Sequence, residues 1–214
     1  MLNSYMQTPL TAGRAALWLA IWSAVLIWSA IQPLDRYTWV LEVLPAIIGL
    51  IALLLTWRRF PLTPLVYVLI LVHSIILIVG GHYTYAEVPL FDDLARLFGG
   101  SRNNFDKLGH FAQGFVPAMI AREILIRRDV IAGRYWRNFF IVCFCLALSA
   151  LYELIEWGVA ITSDEAAEAF LGTQGYVWDT QSDMAFALLG AISALLLLGR
   201  WHDAQMRRYG MIDG

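Results

Sequence analysis

The sequence predicts an all-α membrane protein: one integral domain over residues 1–214, built as a polytopic bundle of six transmembrane helices. Three observations predict it. Of the 214 residues 59% are hydrophobic and 15% charged, and mean hydropathy is +0.62, which is too apolar for a soluble domain of this size. The apolar residues form continuous runs, long enough to cross a hydrocarbon core of about 30 Å, rather than amphipathic stripes. The runs do not alternate in and out as barrel strands do, so helices that satisfy their own backbone are preferred.

The spans follow in order. The first runs over 15–32, with Trp18, Trp22 and Trp28 along it, and Pro33-Leu34-Asp35-Arg36 turns the chain back. The second, 39–56, stops at Trp57-Arg58-Arg59. The third, 63–81, opens on Pro61 and Pro64 and closes at Gly80-Gly81. Residues 86–105 connect it to the fourth. There Leu90, Phe91, Leu94, Leu97 and Phe98 share one helical face and Asp92, Asp93 and Arg96 the other, which predicts a short helix on the membrane surface. The fourth span is 107–126, with Pro117 inside it. The fifth is 139–161. A connector follows, opening on the capping run Ser163-Asp164-Glu165 and ending at Gly172, and it supplies a second candidate interfacial helix. The sixth span is 177–199, and the residues after Arg200 read as a short polar tail.

Basic residues orient the bundle. With six spans, Arg14, Arg58, Arg59, Arg127, Arg128, Arg134, Arg137, Arg200, Arg207 and Arg208 fall on one side, against Arg36, Arg96, Arg102 and Lys107 on the other. The positive-inside rule then puts both termini in the cytoplasm and the interfacial helices on the periplasmic side. Met1–Gln7 is polar and no small-residue cleavage site follows the first run, so the first span is expected to be a retained anchor. A net charge of −2 invites no nucleic acid. Cys143 and Cys145, two positions apart on different helix faces, form no disulfide or metal motif.

Candidate function resides in three pieces far apart in sequence: Asp106-Lys107-Leu108-Gly109-His110, Glu153-Leu154-Ile155-Glu156 and Asp179-Thr180-Gln181-Ser182-Asp183. Each pairs ionisable residues three or four positions apart, so each pair shares a helix face. All sit at the periplasmic ends of spans, roughly one to two turns deep at about 1.5 Å per residue. Such groups inside an apolar segment are expensive and require partners, a wet cavity or a bound ion. Asp106 and Asp179 also suit helix starts, where a carboxylate meets the macrodipole. The ordinary readings of the remaining groups are a solvated interfacial carboxylate for Glu42, a lysine that snorkels or pairs with Asp106 for Lys107, and a satisfied core histidine for His73. His82, beside the outer end of the third span, is a candidate acid–base group.

Acids outnumber bases in this set. Shared protons, a divalent metal such as Zn²⁺, Mn²⁺ or Fe²⁺, or a polar channel would each compensate them. Candidate metal ligands are His110, Glu153, Glu156, Asp179 and Asp183, and candidate catalytic groups are Glu153, Asp106 and His82. A stripe of small residues below Asp183, at Ala187, Gly190, Ala191 and Ala194, permits close helix packing and would hold Asp183 against the fourth or fifth span.

The stretches HYTYAEVPL, FDKLGHFAQGF, YELIEW and WDTQSDMAFALLGA resemble the YjdF-type bacterial inner-membrane proteins, a family of uncharacterised function, over most of the chain. More distantly the chain is similar to VanZ-like membrane proteins, which are linked to glycopeptide-antibiotic resistance. Asp106, Lys107 and His110 match the Asp-Lys-x-x-His of that family, Glu153 matches a Glu in the next span, and Asp183 and Gly190 match the ends of its last motif. Ala187 stands where Asn is usual there, and Glu156 where Gln is frequent. The resemblance implies a bacterial inner-membrane location and a shared outer-leaflet polar site. Three functions remain open on the residues: a metal-dependent hydrolase acting on a lipid or lipid-linked substrate, a proton- or cation-coupled transporter or flippase, and a structural or accessory membrane protein. Membrane lipids are the expected partners.

Overall fold

A computed structural model describes residues 9–162 and 173–213, and within them the protein is all-helical, with seven helices and no strand. They are α1 (Ala12–Ser29), α2 (Arg36–Thr56), α3 (Pro64–His82), α4 (Pro89–Leu97), α5 (Phe105–Arg127), α6 (Arg134–Thr162) and α7 (Asp179–Arg208). Five of them, α1, α2, α3, α6 and α7, are long and apolar enough to cross a membrane. The fourth expected span falls on α5. This helix of 23 residues is long enough, at about 34 Å, but it is not among those five. The reason is its composition, which includes Asp106, Lys107, His110, Gln113, Arg122 and Glu123. α5 packs against α3, α6 and α7, and its Lys107, His110, Arg122 and Glu123 are buried.

The short helix expected from the pattern of Leu90 to Phe98 is α4, started by Pro89 at its first turn. The Ser163 cap and the connector to Gly172 lie outside the described residues. The polar tail after Arg200 is not a tail: α7 continues to Arg208, because His202 and Asp203 have partners on α5.

α5 and α7 run parallel, in a register that sets Gly114 on Ala187 and Gly190 on Phe111. A Cβ on Gly114 would lie 1.8 Å from the Ala187 carbonyl oxygen, and one on Gly190 2.1 Å from the Phe111 carbonyl oxygen. The stripe of Ala187, Gly190, Ala191 and Ala194 is fully buried in this seam, so the small residues let two backbones touch. The seam brings the N-termini of both helices to the same end of the bundle. The turn between α1 and α2 is tied to that end as well, through the Leu34 amide and the His82 carbonyl at 3.0 Å.

Candidate functional site

Lys107 is the hub of the first turns of α5 and α7. Its ammonium lies 2.5 Å from Asp179 Oδ1, 2.6 Å from Asp183 Oδ1 and 3.3 Å from Asp106 Oδ2. It neither snorkels nor serves Asp106 alone; it is buried among three aspartates, with the Tyr176 ring 5.8 Å away. Arg102 adds a second cation, 2.5 Å from Asp179 Oδ1, and also donates to the Thr173 carbonyl. Asp106 and Asp179 do occupy first helical turns, as the macrodipole favours.

One turn deeper, His110 gathers acids from three helices. Its Nε2 is 3.2 Å from Asp106 Oδ1 and 3.8 Å from Asp183 Oδ1, and its Nδ1 is 3.1 Å from Gln113 Oε1 and 3.8 Å from Glu153 Oε1. Asp106, His110 and Asp183 each offer a ligand atom within 4.8 Å of the others. Glu153 Oε1 is buried and has no hydrogen-bond partner among the described residues. A buried carboxylate oxygen without a donor is costly.

Beside His110 lies a cavity of about 80 Å³, walled by Glu42, Tyr85, Asp106, Tyr152 and Glu156 among others. That is room for a few waters or a hydrated ion. Glu42 is not in water at an interface: it is 5% exposed and accepts a hydrogen bond of 2.9 Å from the Tyr152 hydroxyl. The backbone of Thr84 and Tyr85 is left-handed, at φ of 54° and 57°, an uncommon state for bulky residues. Two glycines hold that turn in place. Cβ atoms on Gly80 and Gly109 would lie 2.3 and 2.9 Å from Tyr85 ring atoms, so the ring rests in a notch only glycine leaves open. Burial pushes the Tyr85 phenol well above its ordinary range, with Glu42, Asp106 and Glu156 adding to it, and the hydroxyl stays protonated at neutral pH.

The structure thus brings together Asp106, His110, Glu153, Glu156, Asp179 and Asp183, as expected for one site. His82 it places elsewhere: the ring faces α1, with Nδ1 2.9 Å from the Ser29 carbonyl oxygen and its plane against Trp28. Glu42, Tyr85 and Tyr152 belong to the site and were not expected there. Tyr152 precedes Glu153 directly, and the notch glycines Gly80 and Gly109 are visible in the sequence, but only the fold shows that one ring fills both. His73 also differs from expectation, since its Nε2 is shielded and has no partner among the described residues.

A family model described as "Predicted membrane protein (DUF2238)" matches residues 14–204. The inner membrane protein YjdF of Escherichia coli (strain K12) is 52% identical over 206 residues, which cover 96% of this chain and 97% of that protein. No solved structure matches the chain.

Proposed function

The chain belongs to the DUF2238 family of membrane proteins and lies in the inner membrane, and on that footing we propose that its buried acid–histidine cluster holds a divalent cation and hydrolyses a lipid or lipid-linked substrate at the outer leaflet. The observation that carries this reading is the meeting of Asp106, His110 and Asp183 next to a cavity, with Glu153 Oε1 lacking a donor. Metal bonds of about 2.0–2.2 Å set the edges of a coordination tetrahedron at roughly 3.3 Å. The separations of 3.2 and 3.8 Å from His110 Nε2 to the two aspartates suit such an edge. One imidazole with carboxylates suits Zn²⁺, Mn²⁺ or Fe²⁺.

In this reading the cation supplies Lewis acidity and lowers the pKa of water. Glu153 takes the proton as the water oxygen bonds to the ester carbon or phosphorus. It then returns the proton to the leaving oxygen, so the products are an acid and an alcohol. Glu156 is within reach as a further ligand. Asp179 positions Lys107, and Lys107 restrains Asp183. The Tyr85 and Tyr152 hydroxyls line the cavity where the substrate's polar part would sit. His82, tied to Ser29, takes no part.

Six crossings with both termini in the cytoplasm belong to the same proposal, with α5 as the crossing enclosed by the others. Arg58, Arg59, Arg127, Arg128, Arg134, Arg207 and Arg208 at the end opposite the site support it. Elemental analysis of the purified protein tests the cation. One divalent ion per chain, lost in both His110→Ala and Asp183→Ala, is expected. No ion in the wild type, together with pH- or cation-dependent uptake into vesicles, would replace the hydrolase with a coupled transporter.

A further inference from the structure

The polar cavity has an apolar neighbour. A second space of about 460 Å³ adjoins it, and Pro45, His73 and Leu77 wall both. This space is a groove between α2, α3 and α5, and apart from Thr56, His73, Ser74 and Arg128 its lining is apolar, with Leu53, Ile70, Val116 and Ile120 among the walls. Along α2 it extends from Pro45 to Thr56, about 16 Å at the helical rise, or roughly half the hydrocarbon thickness of a bilayer. The wall is recessed by Gly49 and Ala52, while Ile48, Ile51, Leu54 and Leu55 on the same helix are exposed. Among the described residues nothing fills the recess beside Gly49, where a Cβ would meet no atom within 4 Å. At the wall common to both hollows stands His73, whose Nε2 has no hydrogen-bond partner among the described residues.

We infer that this groove seats one long hydrocarbon chain of the substrate, whose polar part occupies the cavity beside His110. The substrate class is therefore an amphiphile with a flexible chain, acyl or polyisoprenyl, joined to a polar group at an ester or phosphoester. The adjacency of the two hollows, which share Pro45, His73 and Leu77 as walls, favours this occupant over a helix or a second copy of the protein. A chain in the groove passes His73 and delivers its junction with the head to Asp106 and His110. A protein partner would leave the polar cavity unaddressed. The inference rests on the reading of that cavity as the place where the polar part is handled.

The test uses the full chain in vesicles of phosphatidylethanolamine and phosphatidylglycerol. Each sample carries a trace of one of two probes, a phosphatidylglycerol with a diazirine near the end of an acyl chain or a polyisoprenyl phosphate with a diazirine near its tail. Labelled peptides are located by mass spectrometry, and bound metal is measured on the same samples. One probe is expected to label the groove faces, over residues 49–56, 70–77 and 116–124, and that probe identifies the source of the chain.

Gly49→Leu fills the recess without a clash and with a better helix former, so it is expected to fold. It should cut the groove label roughly ten-fold, the effect of excluding about two buried methylenes, while its metal content stays that of wild type. Gly158→Leu, another glycine with open space around it and outside the groove, should leave the label unchanged. Label spread evenly over the exposed faces of the helices, and equal in wild type and Gly49→Leu for both probes, would overturn the inference while leaving the cation site standing. A groove-specific label in a protein without metal would uphold the chain site and remove the cation instead.

Discussion

α5 carries a cluster of ionisable residues at each end, and the two are built oppositely. At the cytoplasmic end as proposed here, Glu123 is fully buried and saturated. It accepts from the Thr63 amide at 3.0 Å, the Thr63 hydroxyl at 2.8 Å, Arg127 at 2.7 Å and His202 Nε2 at 2.9 Å. Arg122 donates to Asp203 at 2.7 Å and lies 3.1 Å from His202 Nδ1. Arg122 and Arg127 face Glu123 and Asp203, and no fully buried side-chain polar atom of Arg122, Glu123, Arg127 or His202 lacks a partner among the described residues, although the Nε of neighbouring Arg137 does. At the other end, among the described residues, the cations beside Glu42, Asp106, Glu153, Glu156, Asp179 and Asp183 are Arg102, Lys107 and His110, one carboxylate oxygen has no donor, and a cavity opens beside them. Saturation suits a tie that holds helices together, whereas the deficit of positive charge beside a hollow is the feature on which the proposed cation and substrate site rests.

The largest expected effect breaks the saturated end. Glu123→Ala strands the Thr63 amide, His202 and Arg127 in a closed interior, and should cost about 3–5 kcal/mol of stability, read as a lower unfolding temperature in detergent. The seam between the clusters comes next. Gly114→Ala drives a methyl into the Ala187 carbonyl and should cost about 1–3 kcal/mol as α5 and α7 separate. It should also weaken cation binding, because Asp183 is carried on α7 and His110 on α5. At the unsaturated end the expectation reverses: Glu156→Gln removes an uncompensated acid and should change stability by less than about 1 kcal/mol, while lowering activity or ion content. A stability loss there as large as that of Glu123→Ala would erase the distinction between the two ends. The smallest effect sits on the surface. Asp93→Ala breaks the exposed 3.4 Å pair with Arg96 on α4 and should cost under about 0.5 kcal/mol in a thermal melt.

How far the sequence reveals this difference depends on what each feature rests on. The helices are legible because long apolar runs leave few alternatives, and α4 is legible because its two faces separate by charge. Three pieces of the site are legible because paired ionisable residues inside apolar segments are expensive enough to imply convergence. The saturated cluster was not legible. Arg122-Glu123 and His202-Asp203 look like ordinary residues near an interface, and their pairing follows only from the parallel register of α5 and α7. The continuation of α7 to Arg208 stayed hidden for the same reason, since its last turns are polar and their partners lie about 80 positions earlier in the chain. Glu42 looks solvated in the sequence because it is near a span end, and only the fold, which packs α2 on α3 and brings the Tyr152 hydroxyl to its carboxylate, buries it. His82 drew attention by its proximity to the site in sequence, but the helix turns its ring towards α1.

The account depends most on the outer cluster being short of positive charge and completed by a cation. Zinc-edge X-ray absorption on the zinc-loaded protein in membranes or detergent tests that directly. The account predicts one imidazole nitrogen and carboxylate oxygens at about 2.0–2.2 Å, with the imidazole signal lost in His110→Ala and the oxygen shell thinned in Asp183→Asn. A wild-type spectrum showing only hydrated zinc, or one unchanged by both substitutions, would contradict it.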